Sequence, residues 1–419
     1  MHLKDTMKIK ASVPLFMPKP LNEQLTDIAK YFKNELKADI VVPVADRDTD
    51  EGPPTASTSD LILTLFSLVE NVSLTNRLAQ ENMVESLLNG ILACVLFIEV
   101  PEETREKLAT MLANKLADIS GENGNKFAVV RLRVLSTLFY GLPESSDLRF
   151  TPYCRMLELA SGCSLLHRVV TDPIKVKEWM KSWKLDDSRV RAVWRILHAA
   201  LLKAEENTKA SRVMVELLKT FTLETAGEAK EEAFQCVRDA IADPYAVSLD
   251  HLTHLKPVQG LRGQPIFDLL NVFVAGNVSE YMHFRTKNPD ALQKIGLSHD
   301  DNLRKIRLLT FLNMSRGQQE IVYAEIAKQL HLDAGETEAD KVRKVEEVEN
   351  FIIEALKTRL ISGKMDAAHQ RFRVTTCMEP SFSKVKWVEL RDGLSVWQQQ
   401  VRHMKRMLAS VTNPDGNLA

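Results

Sequence analysis

The chain has 419 residues, 45% apolar and 26% charged, and its 55 basic side chains nearly balance 56 acidic ones for a net charge of −1. Such a composition belongs to a globular protein with a large core, and it excludes any general electrostatic drive towards nucleic acid or anionic membrane. Five scattered cysteines without a CxxC pair exclude a disulfide scaffold and fit a reducing compartment.

Residues 1–20 carry three prolines and little periodicity, which predicts a flexible tail. The opening MHLKDTMKIKASVPLF lacks an apolar h-region, so no secretory signal is expected and the location is read as cytoplasmic. A helix is predicted over about 21–37, followed by a flexible loop over 42–59 that is rich in Pro, Gly, Asp, Ser and Thr. SLLNGILACVLFI, Ser86 to Ile98, is a run of 13 residues. A bilayer crossing needs roughly 20, so the run predicts a buried core helix and no membrane partner.

From Asp60 to about Gly296 the chain reads as helices with short turns. In TDPIKVKEWMKSW, Asp172 is placed to cap the helix that Pro173 begins, where proline's missing N–H costs nothing. In DDSRVRAVWRILHAALLKA, Val190, Val193, Trp194, Leu197 and Leu201 share one face, and ASRVMVELLKTF repeats the stripe after a polar break at 205–209. Helix after helix with short connections, and no strict period, predicts a mainly α fold built as a right-handed, solenoid-like helical-repeat array. The array divides into a part over 21–205 and further repeats over 206–300.

After Asp300 the pattern changes. NLRKIRLLTFLNMS and YAEIAKQLHL make two helices, and VRKVEEVENFIIEALKTRLI makes a third with Val345, Val348, Phe351, Ile352, Leu356 and Leu360 inward. ISGKMDAA and RFRVTTC then read as a hairpin, so 301–376 is predicted to be a winged helix. Segment 377–419 contains WVELRDGLSVWQQQVRHMKRMLASV. Its apolar Trp387, Leu390, Leu394, Trp397, Val401, Met404, Leu408 and Val411 are spaced alternately by three and four, a sustained a/d heptad. The seam has two candidate mates: the chain's own winged helix, or a helix of another protein.

Catalytic signatures such as HExxH, GxSxG and a dinucleotide fingerprint are absent. SGK at 362–364 lacks the P-loop glycine, which is Thr358, and sits on a hairpin. Cys154, Cys163 and His167, and the pair His251 and His254, lack the doubly paired spacing of structural zinc. No metal, no cofactor and no enzyme activity are expected. The third helix of a winged helix can enter a DNA groove. Here its outward residues include Glu346, Glu347, Glu349 and Glu354, which oppose sequence-specific DNA binding. A weak RNA contact through wing residues Lys364, Arg371 and Arg373 stays open.

A helical array, a winged helix and a closing helix together resemble the PCI-domain family, shared by subunits of the proteasome lid, the signalosome and translation initiation factors. The resemblance is strongest to the initiation factor 3 branch. VRLRVLSTLFYGL, RFTPYCRMLELA, KASRVMVELLKTF, DPYAVSLDHLTHLKPVQGLRGQPIFDLLNVFVAG, NLRKIRLLTFLNMS, VENFIIEALKTRLISGKMD and KWVELRDGLSVWQQQVRHMKRML carry it, over most of 131–407. DAGETEADKVRKV, whose acidic stretch is 333–340, is longer and more charged than the family's turn.

The resemblance implies a non-catalytic scaffold subunit whose partners are other initiation factor 3 subunits of PCI and MPN type. Through that complex it implies the small ribosomal subunit, initiator tRNA and mRNA. It also implies association through the wing edge, with Leu360, Ile361, Met365, Phe372 and Val374 as candidates. For the seam it implies an intersubunit bundle through Trp387, Leu390, Leu394, Trp397, Val401, Met404 and Leu408. The alternatives are a lid or signalosome subunit, and a winged-helix nucleic-acid binder.

Overall fold

Some helices start where a side chain accepts from an otherwise unsatisfied amide of the first turn, or where a proline removes one. Asp172 accepts from the Ile174 N–H at 3.2 Å just before Pro173, and Asn277 accepts from the Ser279 N–H at 3.0 Å. The computed structural model describes residues 21–34, 36–40, 58–72, 81–97, 101–119, 125–222, 224–332, 338–378 and 384–412. The expected tail at 1–20, the loop through 42–57, and 333–337 of the acidic stretch lie outside the described residues.

The chain divides into two compact units, Met1–Thr220 and Phe221–Ala419. The first contains α1 (Leu21–Asn34), α2 (Thr58–Glu70), α3 (Glu81–Phe97), α4 (Glu102–Ala117), α5 (Ala128–Gly141), α6 (Phe150–Gly162), α7 (Pro173–Ser182), α8 (Asp187–Lys203) and α9 (Asn207–Lys219). Helix α1 packs on α3, α2 on α4, α3 on α5, α4 on α6 and α6 on α8, while α5–α6 and α8–α9 pack as sequence neighbours. Stacking on the helix two places along is the contact pattern of a helical-repeat array. The apolar run in α3 supplies core residues Leu88, Ile91, Leu92 and Cys94. A cluster of Phe139, Tyr153, Trp179 and Trp183 joins α5, α6 and α7, with the Phe139 and Trp183 ring centroids 5.9 Å apart. The buried Tyr153 hydroxyl donates to the Val170 carbonyl at 2.9 Å.

The second unit runs α10 (Lys230–Ala242), α11 (Asp250–Thr253), α12 (Lys256–Gln259), α13 (Pro265–Ala275), α14 (Val278–Lys287), α15 (Ala291–Ile295) and α16 (His299–Ser315). Then follow β1 (Glu320–Val322), α17 (Tyr323–Gln329), α18 (Glu338–Lys357), β2 (Ile361–Asp366), β3 (Arg371–Cys377) and α19 (Lys384–Thr412). Helix α13 ends at Gly276, whose φ of 64° is left-handed and where a Cβ would meet the Asn313 side chain. The antiparallel sheet has the order β1-β3-β2, with Ile321 and Met365 both opposite Phe372. Helices α16, α17 and α18 with this sheet form the winged helix. Strand β1 is an addition to the sequence reading, because three residues are too few to display alternation.

Four buried or half-buried cations cross from one helix to the carboxyl end of another. Arg131 in α5 donates to the Leu116 carbonyl at 2.7 Å and to that of Asp118, closing α4. Arg149 donates twice to the Leu142 carbonyl, at 3.0 and 2.5 Å, closing α5. Lys305 in α16 reaches the carbonyls of Ala240, Ile241 and Asp243 at 2.7, 3.0 and 2.6 Å, closing α10. Two residues on, Arg307 reaches the carbonyls of Leu330 and His331 at 3.0 and 3.1 Å, closing α17. Helix carboxyl ends carry orphan carbonyls and partial negative charge, so a buried cation satisfies both needs. Burial pushes the Lys305 ammonium down to about 8, which still leaves it charged at neutral pH.

Lys305→Met keeps the apolar stem and removes three donors. The unit that contains it is expected to lose about 2–3 kcal/mol, read as an earlier urea transition. Arg131→Met should do the same to the first unit.

Candidate protein-docking surfaces

The wing is held by the two-residue alternation of its strands. Phe372 and Ile361 point inward and are fully buried, with the Phe372 ring centroid 5.5 Å from that of Phe311. Those two candidates therefore serve the domain's own core, and their side chains cannot also reach a partner. Leu360, Met365 and Val374 are half-buried at the surface of the wing. The Val374 N–H donates to the Gln319 carbonyl at 2.9 Å, and the Leu360 carbonyl accepts from the Met378 N–H at 2.8 Å. The register slips between Ser362 and Gly363. At Gly363 a Cβ would run into the Arg373 carbonyl and the Phe372 ring, so only glycine lets β2 approach β3 this closely. With β3 in the centre, β1 and β2 are the edges of the sheet.

The electrostatics of this domain do not suit a phosphate backbone. Glu320 in β1 pairs with Arg373 at 2.7 Å and Arg371 at 3.4 Å, and these hydrogen bonds hold its carboxyl below the usual range. Two of the three basic wing residues are thus shared with a carboxylate that sequence reading overlooked. On α18, Val348, Ile352 and Ala355 are buried, while Glu346, Asn350 and Glu354 are exposed. A groove-reading helix needs the opposite sign.

The candidate metal ligands are dispersed. The Cys154 thiol is buried and pushed up to about 12, and Cys163 Sγ lies 3.3 Å from Asn125 Oδ1. Among the described residues no three His, Cys, Asp or Glu side chains stand together as a metal site.

The other candidate surface is α19. Every side chain from Trp387 to Leu408 is exposed, including seam residues Trp387, Leu390, Leu394, Trp397, Val401, Met404 and Leu408, while the Val411 side chain lies outside the described residues. Leu394 is 52% exposed, Trp397 64% and Met404 50%. At 1.5 Å per residue this face is about 32 Å long. The internal clasp, one of the two mates open from sequence, is not the arrangement of this structure. Met407, on the flank of the seam and also exposed, widens the apolar face beyond the heptad positions.

Residues 286–376 match the PCI domain family, from the end of α14 into β3. Over 403 residues the chain is 32% identical to "Eukaryotic translation initiation factor 3 subunit M" of Xenopus tropicalis, covering 96% of this chain and 100% of that one. The protein of the same name from Nematostella vectensis is 36% identical over 331 residues, 79% of this chain and 84% of that one. That from Homo sapiens is 29% identical, over 96% of this chain and 100% of that one.

The chain belongs to the eukaryotic translation initiation factor 3 subunit M family. The domain match ends before α19, so in this family member the seam lies outside the PCI domain proper. Among the described residues no helix is long and apolar enough to cross a membrane.

Two substitutions separate the roles of these residues. Phe372→Ala removes a core ring and is expected to destabilise the free protein by about 3–5 kcal/mol. Trp397→Ala, on the exposed seam, should stay within about 0.5 kcal/mol of the parent in the same urea unfolding measurement.

Proposed function

We propose that this chain is a non-catalytic scaffold subunit of eukaryotic translation initiation factor 3, acting in the cytoplasm. The array over 21–300 supplies lateral surface, the winged helix over 301–376 makes edge contacts with neighbouring PCI subunits, and the segment 377–419 joins a bundle of helices from other subunits. Leu360, Met365 and Val374 are the wing residues placed to meet a neighbour. Trp387, Leu390, Leu394, Trp397, Val401, Met404 and Leu408 make the bundle contact. Through the assembled factor the chain supports recruitment of the small ribosomal subunit, initiator tRNA and mRNA, with no substrate of its own.

The observation that carries this reading is the exposed seam of α19. Burying Leu394, Trp397, Val401 and Met404 offers about 1.5–3 kcal/mol each. That gross gain is large enough to survive the entropy lost on association. Aromatic anchors such as Trp397 typically lie at the centre of such contacts. A nucleic-acid role is disfavoured by the acidic outer face of α18 and by the pairing of Glu320 with the wing arginines.

The test is a Trp397→Asp/Met404→Asp double variant. It is expected to fold and run as the parent does in gel filtration, yet to recover no initiation factor 3 subunits on affinity purification from a eukaryotic lysate. Recovery of lid or signalosome subunits by the parent protein would overturn the assignment to this complex.

A further inference from the structure

The flanks of the α19 seam are chemically one-sided. With Trp387 at position a, the a positions are Trp387, Leu394, Val401 and Leu408, and the d positions are Leu390, Trp397 and Met404. The e positions that border the seam are then Arg391, Gln398 and Lys405, and the g positions are Gly393, Gln400 and Met407. None of these six is a carboxylate. From Gly393 to Leu408 the helix contains no Asp or Glu at all, while Arg402, His403, Lys405 and Arg406 are exposed there. Arg391 pairs at 2.8 Å with Asp392, but both side chains are more than half exposed, and such a neighbour pair is easily exchanged for another partner.

Two copies of this helix are poorly matched. Antiparallel pairing centred on Gln398 would set Arg391 of each copy against Lys405 of the other, and parallel pairing would bring no opposite charges across the e and g positions. Like charges at these flanks penalise a pairing, and opposite charges choose the partner. A continuous apolar face with aliphatic residues between its indoles also calls for another apolar seam.

We propose that α19 is a charge-selective docking surface whose occupant is a helix of another subunit, with an apolar heptad seam flanked by Asp or Glu opposite Arg391 and Lys405. This rests on the scaffold reading and names the chemistry of the partner at that site. Charge sets the choice among the many apolar seams a helical bundle offers, and the seam itself supplies the contact area.

The test titrates the full-length protein with two labelled synthetic heptad peptides of equal length and identical leucine and isoleucine seams. One carries Glu at every e and g position and the other carries Lys, and binding is read by fluorescence anisotropy. At low ionic strength the Glu peptide is expected to bind about tenfold tighter or more, since one to two kcal/mol of charge contacts corresponds to that ratio. The gap should shrink in about 1 M salt, where the Debye length is ~3 Å. Arg391→Glu/Lys405→Glu should reverse the preference, with the protein still folded by circular dichroism.

Equal binding of the two peptides, or a preference untouched by the charge reversal, overturns the selectivity and leaves the scaffold reading standing. Binding of neither peptide also overturns it, and the co-purification experiment then judges the scaffold reading separately. Tighter binding of a single-stranded RNA oligomer that the Trp397→Asp/Met404→Asp variant loses would assign the face to nucleic acid instead.

Discussion

The structure depends on satisfying carbonyl groups at the carboxyl ends of buried helices. Stacked helices hide their ends under their neighbours, where water cannot supply donors, and an unanswered carbonyl there costs about as much as a lost hydrogen bond. Arg131, Arg149, Lys305 and Arg307 each answer such an end from outside the helix that it closes. A guanidinium or ammonium does this better than a hydroxyl, because it presents several donors and a charge that the helix dipole favours.

Within the second unit this device also gives α16 its role. Lys305 and Arg307 lie two residues apart and point to different neighbours, α10 of the repeats and α17 of the winged helix. Thr310 adds a bond to the Gly276 carbonyl at 3.0 Å, which ties the same helix to the end of α13. One helix thus fixes the repeats and the winged helix to each other through polar contacts, with Leu309, Phe311 and Leu312 buried around them. Polar contacts of fixed geometry define an angle between elements more sharply than apolar packing, which is non-directional.

The outer surfaces follow a different logic. The wing is closed on its inner side by Phe372 and Ile361, with Leu360, Met365 and Val374 half-buried at its surface. Helix α19 carries its apolar side chains on the outside, where they lack the burial that normally stabilises an amphipathic helix. Its exposed face and cationic flanks are the features on which the proposed completion by another chain rests.

Much of this was legible in the sequence. The +3/+4 spacing from Trp387 to Leu408 determined both the helix and its seam, the Asp172–Pro173 pair determined a helix start, and the glutamates of α18 determined the sign of its outer face. Local spacing and side-chain chemistry suffice for such features, because the interactions span a turn or two. Other features were decided only in three dimensions. The buried cations each reach a carbonyl at least seven residues away in sequence, and for Lys305 more than sixty, with no local signal. Strand β1 exists because Glu320, Ile321 and Val322 find β3 about fifty residues on, and the same pairing brings Glu320 to the wing arginines. The strand pattern could not say which wing residues turn inward until the sheet and α16 met. Nor could the heptad say whether its seam was covered, because a spacing specifies a face and only packing specifies what lies against it.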